Sequence, residues 1–156
     1  MIKIIIDNMN SLCIISCGNK KIWDKNPRKG PTEAKNTYIG SFAKKCREYA
    51  EKFYNDSWCI LSAKHGFLFP EDMVSGPYNV SFNIKKSNPI SLDELSKQIK
   101  EKKMDKYEKI IVLGGKNYNQ IAEELFYTKE VNNLLSGCKG IGYMIQRLNR
   151  LIEEQY

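Results

Sequence analysis

The chain has 156 residues, 42% of them hydrophobic, and a mean hydropathy of -0.50. This composition excludes a disordered polymer and sets the expectation of one domain over 1–156, with 1–10 as an edge strand or an N-terminal extension. The 25 basic residues against 18 acidic ones leave a formal charge of +7, which fits a polyanionic partner through phosphate neutralisation, or else a lysine-rich solvated surface.

Five cysteines, Cys13, Cys17, Cys46, Cys59 and Cys138, are odd in number and contain no Cys-x-x-Cys pair. They argue for free thiols in a reduced, cytoplasmic setting rather than for a disulfide framework. His65 has no second histidine to join it in a zinc site. Residues 1–7 are too short and too soon interrupted for a signal peptide or a membrane span. Neither metal, cofactor nor membrane partner is expected, and the oligomeric state stays open.

Taken in chain order, 12–16 is an apolar run that reads as a buried strand. Residues 18–32 form a long polar loop with Pro27, Gly30 and Pro31, and Thr32 is a candidate N-cap. From 33 to 54, Tyr38, Phe42, Cys46, Tyr49 and Phe53 recur at helical spacing and predict one amphipathic helix. A second strand covers 58–61, and 66–88 is rich in loop residues. Ser91 caps a helix carrying Leu92, Leu95 and Ile99. Lys109–Leu113 is a third strand, broken by Gly114-Gly115, after which 118–126 reads as a short helix and 141–152 as an amphipathic one.

Strands alternating with helices predict an α/β protein, a three-layer α/β/α sandwich on a short, mostly parallel sheet. It is Rossmann-like but lacks Gly-x-Gly-x-x-Gly, so no dinucleotide is expected. The carboxyl ends of such strands form the ligand crevice. Three turns there carry lysine beside small residues: Cys17-Gly18-Asn19-Lys20-Lys21, Ser62-Ala63-Lys64-His65-Gly66 and Gly114-Gly115-Lys116. Lysines neutralise phosphate, and glycine-rich turns offer backbone N–H groups to an anion. Trp23 and Tyr78 are candidates to stack on a base, the alternative for each being a hydrophobic plug. Asp24, the carboxylate among the loop cations, is the candidate catalytic acid or water-positioning group, and His65 is the candidate proton carrier or substrate contact. Glu71 and Asp72 are further acid/base candidates, or turn formers.

Cys17-Gly18 with Lys20, Lys21 and Trp23, then Pro31, Ala34 and Tyr38, then 61–68, Pro70 and Tyr78, resemble a family of small prokaryotic and phage proteins known mainly as a domain of unknown function. The resemblance spans 12–150. Similar segments occur beside tRNA-guanine transglycosylase-like and archaeosine-synthesis domains, and the implied fold is similar to that of uracil-DNA glycosylases. It implies work on nucleobases or their glycosidic bonds, including removal of a modified base from foreign DNA. The Gly-Gln-Asp-Pro-Tyr and His-Pro-Ser motifs of those glycosylases are missing here, so no catalytic residue transfers from them. The expectation is therefore a nucleic-acid-acting, glycosylase-like or base-processing enzyme, with DNA ahead of RNA. Lys20, Lys21, Lys64 and Lys116 would hold its phosphates. The alternatives are a nucleotide- or nucleic-acid-binding module without catalysis and a nucleoside ribosyl-transferring enzyme.

Overall fold

The computed structural model describes residues 10–154; the edge strand expected over 2–6 lies outside them. The elements run β1 (Ser11–Ser16), α1 (Ile22–Lys25), β2 (Thr32–Glu33), α2 (Ala34–Thr37), α3 (Ser41–Phe53), β3 (Trp58–Ser62), β4 (Gly66–Leu68), β5 (Met73–Val74), α4 (Leu92–Glu101), β6 (Lys109–Leu113), α5 (Lys116–Leu125), β7 (Glu130–Asn133) and α6 (Ile141–Glu154). Five strands form one mixed sheet in the order β4-β3-β1-β6-β7. Neighbours are parallel except β4, which turns back antiparallel to β3.

β1 is the central strand and is buried along its whole length. Its alternating side chains enter two separate cores. Cys13 and Ile15 pack with residues of α3 and α6, while Leu12 and Ile14 pack with residues of α4 and α5. Burying a Leu or Ile side chain contributes about 1.5–3 kcal/mol, so a strand covered on both faces is apolar throughout. The chain leaves β1 for β3 on one side of it and later reaches β6 on the other. The winding therefore reverses between β1 and β6, the kind of switch point at whose carboxyl ends open α/β sheets receive ligands.

The helix expected over 33–54 is broken. Thr32 pairs with Val74 in a two-stranded ribbon instead of capping a helix. Tyr38 then leaves α2 in an extended conformation and bridges Lys21, and Gly40 precedes α3 in extended backbone. The Tyr38–Phe42–Cys46 spacing runs through this break, which is why periodicity alone conceals it. Ser91 does cap α4, its hydroxyl accepting the Glu94 N–H at 3.1 Å.

Candidate functional site

Two turns and one loop build a cluster around Tyr78. The first turn leaves β1. Lys21 is fixed there by its bridge to Tyr38 and by Asp24, whose carboxylate accepts the Lys21 backbone N–H at 2.8 Å. These contacts hold the Lys21 side chain, only 6% exposed, with its ammonium 4.3 Å from the Tyr78 ring centre. The ammonium donates to the Asn19 carbonyl at 3.1 Å. Burial lowers the Lys21 pKa, against the opposing pull of Cys17 and Asp24.

The second turn joins β3 to β4. The Ser62 hydroxyl accepts the backbone N–H groups of Lys64 at 3.3 Å and His65 at 3.1 Å. With both lone pairs so engaged, its proton goes to the Tyr78 oxygen 2.8 Å away, and Tyr78 in turn meets the Tyr38 hydroxyl at 2.5 Å. Gly66 closes the turn at φ +78, with Gln98 filling the space where a side chain would begin. Gln98 accepts the Phe67 N–H and donates to the His65 carbonyl. The His65 ring therefore stands edge-on to Tyr78 at 5.1 Å, and the Lys64 ammonium lies 5.5 Å from the same ring.

Burial sets the protonation of this cluster. It pushes the Tyr78 phenol up to about 12, reinforced by Cys17. It pushes Tyr38 up further, with Tyr78 adding to the effect. Both phenols are neutral donors at pH 7. Burial and then the Lys64 charge lower the His65 pKa, so its imidazole is neutral there too.

The third turn, after β6, reaches the cluster through Tyr118 rather than through lysine. Gly114 lies against the Tyr118 side chain, where an added Cβ would come within 2.9 Å. The Tyr118 hydroxyl stands 3.3 Å from Cys17 Sγ, spanning the ends of β6 and β1. Gly115 precedes α5 and Lys116 is exposed at its start; Gly18 is half-buried beside Cys17.

Several expected contacts are redistributed. Trp23 is 5% exposed, its indole N–H bound to the Gly30 carbonyl at 2.8 Å, so it plugs the 18–32 loop and has no face left for a base. Asp24 caps α1 and, with Lys20, lines a separate surface cavity of about 550 Å³ that Tyr78 does not border. Asp72 is a turn former: it accepts the Phe69 N–H at 2.8 Å and pairs with Lys102. Glu71 pairs with Lys35 on the surface. Lys21 and Lys64 share the Tyr78 ring, and Lys20 and Lys116 lie outside that pairing. Tyr38 was legible only as part of a helical stripe, and the turn after β6 drew notice for its glycines and lysine; the hydroxyls of Tyr38 and Tyr118 belong to the site.

Among the described residues, the buried side-chain polar atoms without a partner are Ser16 Oγ, His65 Nε2 and Asn119 Oδ1. Ser16 ends β1, His65 follows β3, and Asn119 lies in α5, which follows β6. Such atoms are rare in folded proteins.

A family of unknown function, DUF6884, matches residues 12–150. An uncharacterized protein of Bacillus subtilis (strain 168), YfjM, is 45% identical over 149 residues, covering 95% of this chain and 99% of that relative. No solved structure matches the chain. With a match over nearly its whole length, the chain belongs to DUF6884.

Proposed function

We propose that this protein acts on nucleic acid, DNA ahead of RNA, as a base-processing enzyme of the N-glycosidic hydrolase class. The nucleotide is received at the carboxyl ends of β1 and β3. One observation carries the reading: two lysines from distant turns, Lys21 and Lys64, meet one tyrosine ring whose hydroxyl is already engaged by Ser62 and Tyr38. A ring fixed by its hydroxyl and flanked by cations suits a flat, phosphorylated ligand.

In this reading the half-buried edge of Tyr78 and the His65 ring receive the base, while Lys64, with Lys116 and Lys20 further out, meets phosphates. Neutral His65 is the group that exchanges a proton, and Asp24 acts at one remove by holding the Lys21 backbone. Extruding a base from a duplex costs a few kcal/mol, which phosphate contacts and stacking offset. The two cores on either side of β1 support a three-layer sandwich of Rossmann-like or uracil-DNA glycosylase-like form.

The test is incubation with modified DNAs and RNAs, followed by mass spectrometry for released bases and by binding measured against salt. Release of a free base, lost in a His65→Ala, Lys64→Ala double variant, supports the reading. Salt-dependent binding with no base released from any substrate favours a binding module without catalysis. Tight binding of mononucleotides, indifferent to polymer length, favours a nucleoside ribosyl-transferring enzyme.

A further inference from the structure

The geometry around Tyr78 points to a covalent role for one residue, and we propose that Lys21 Nζ is a nucleophile that forms an imine with the C1′ carbon of a deoxyribose. This rests on the proposed function and deepens it by naming the attacking atom.

Lys21 differs from a phosphate-binding lysine in three respects. Its side chain is 6% exposed, whereas Lys64 is exposed on the rim of the same cluster. No carboxylate pairs with it at contact distance: the ion pairs given by the described residues use Lys35, Lys45, Arg47, Lys97, Lys102 and Lys109, and the Asp24 charge acts on it from further off. The carboxylate nearest in sequence, Asp24, spends an oxygen on the Lys21 backbone N–H instead. Its backbone is also held on both sides, by Tyr38 and by the α1 cap, so the amine has a fixed place rather than a sweeping reach. Phosphate binding requires none of this, since a hydrated surface lysine performs it. A nucleophilic amine is served by all of it, because only the uncharged form carries a free lone pair, and burial favours that form over the opposing pull of Cys17 and Asp24. The lowered pKa agrees in direction.

The step balances without an oxidant or reductant. The Lys21 lone pair forms a bond to C1′ as the bond from C1′ to the base nitrogen breaks, and the base departs with that electron pair and takes up a proton. The sugar C1′–O4′ bond then opens, O4′ is protonated, and a protonated imine remains between Nζ and C1′. Loss of a C2′ proton expels the 3′ phosphate, and water afterwards hydrolyses the imine to free Lys21. His65 Nε2 lies on the ring edge-on to the Tyr78 ring that Lys21 meets, neutral and without a partner, and is the base within the cluster for that proton.

A duplex bearing one abasic site supplies the sugar aldehyde directly, so the test does not depend on knowing the base. Sodium borohydride reduces the imine to a stable amine, and peptide mass spectrometry locates it. In the unmodified protein the adduct is expected on Lys21. Lys21→Arg is expected to reduce trapping by about tenfold or more, while Lys97→Ala on the exposed face of α4 leaves it intact. Thermal melting checks that the variants fold, and adduct mapping in the unmodified protein decides the matter even if they do not. An adduct spread over Lys20, Lys64 and Lys116, or no adduct at all, overturns the proposal. If bases are nevertheless released without an adduct, water is the nucleophile and the proposed function stands. An adduct on Lys21 without base release from any modified substrate retains the imine and removes the base-excision step.

Discussion

Cys17 and Tyr118 lie 101 residues apart in sequence, yet their thiol and hydroxyl meet at 3.3 Å. The contact closes the gap between β1 and β6 at the point where the winding of the sheet reverses. Gly114 permits it by letting the Tyr118 side chain lie against bare backbone. The thiol thus sits at the carboxyl end of β1, near enough to Lys21 and Tyr78 to act on the protonation of both.

That placement sets the order of thiol reactivity. Cys13, Cys46 and Cys59 are 0% exposed, whereas Cys17 and Cys138 are half-buried. A brief treatment of the native protein with iodoacetamide should label Cys17 and Cys138 and spare the other three until denaturant is added. A single-stranded oligonucleotide should then slow labelling at Cys17 and leave Cys138 unchanged. Equal protection of both thiols would count against a ligand seated at the end of β1.

Tyr78→Phe separates the ring from its hydroxyl. The variant keeps the face that Lys21 and Lys64 meet but leaves the Ser62 proton and the Tyr38 hydroxyl without their shared partner. Loss of a buried hydrogen-bond partner costs about 1–3 kcal/mol, and urea denaturation should register a fall of that size with an unchanged m-value. Ser62→Ala removes the far end of the same chain, so the double variant should cost less than the sum of the two single ones.

Gly66 is constrained twice, by its φ of +78 and by Gln98 filling the position of a side chain. Gly66→Ala must therefore both adopt left-handed backbone, at about 1–2 kcal/mol, and displace Gln98 from the Phe67 and His65 backbone groups. Replacing Gln98 by Ala in the same chain relieves the collision but not the dihedral. Thermal denaturation should show Gly66→Ala strongly destabilised and the double variant less so than additivity requires. Additive losses would show that Gln98 is not what the new methyl meets.

The three core strands were legible because β1, β3 and most of β6 are buried on both faces, and a short, unbroken apolar run fits best between two helical layers. β7 was not: Glu130–Asn133 alternates exposed and half-buried residues at the sheet edge and carries one aliphatic residue, Val131. β4 was hidden in a stretch that its glycine and proline made look like loop. Ser62, Lys64, His65 and Tyr78 could be singled out as a small-residue turn and an aromatic beyond it. What sequence could not supply was the third dimension. For Trp23, in a polar loop, sequence left a base-stacking ring and an inward-folded plug both open, and only the closure of that loop on Gly30 separates them. Tyr38 keeps the helical spacing of Phe42 and Cys46 while its backbone is extended toward Lys21. The lysine that matters most was thus indistinguishable from its neighbour Lys20 until the bridge to Tyr38 separated a buried amine from an exposed one.

His65 should leave its mark on the pH dependence of stability. Burial, and after it the charge of Lys64, hold its folded-state pKa below the ordinary value of 6.5. Below that value the unfolded chain takes up a proton that the folded chain refuses. The unfolded state then binds more protons, so stability rises with pH across this window and falls as the solution is acidified from neutrality. The loss ends once the pH drops below the folded-state pKa, where both states are protonated. The ring is partly open to solvent, which keeps the effect small. His65→Gln abolishes the titration, so urea midpoints measured between pH 7 and pH 5 should fall less steeply for the variant than for the unmodified protein. A ligand that needs neutral His65 reports the same equilibrium a second time: its affinity should decline over that window in the unmodified protein, in step with protonation of the imidazole. A parallel decline in the His65→Gln variant would assign the pH dependence to another group.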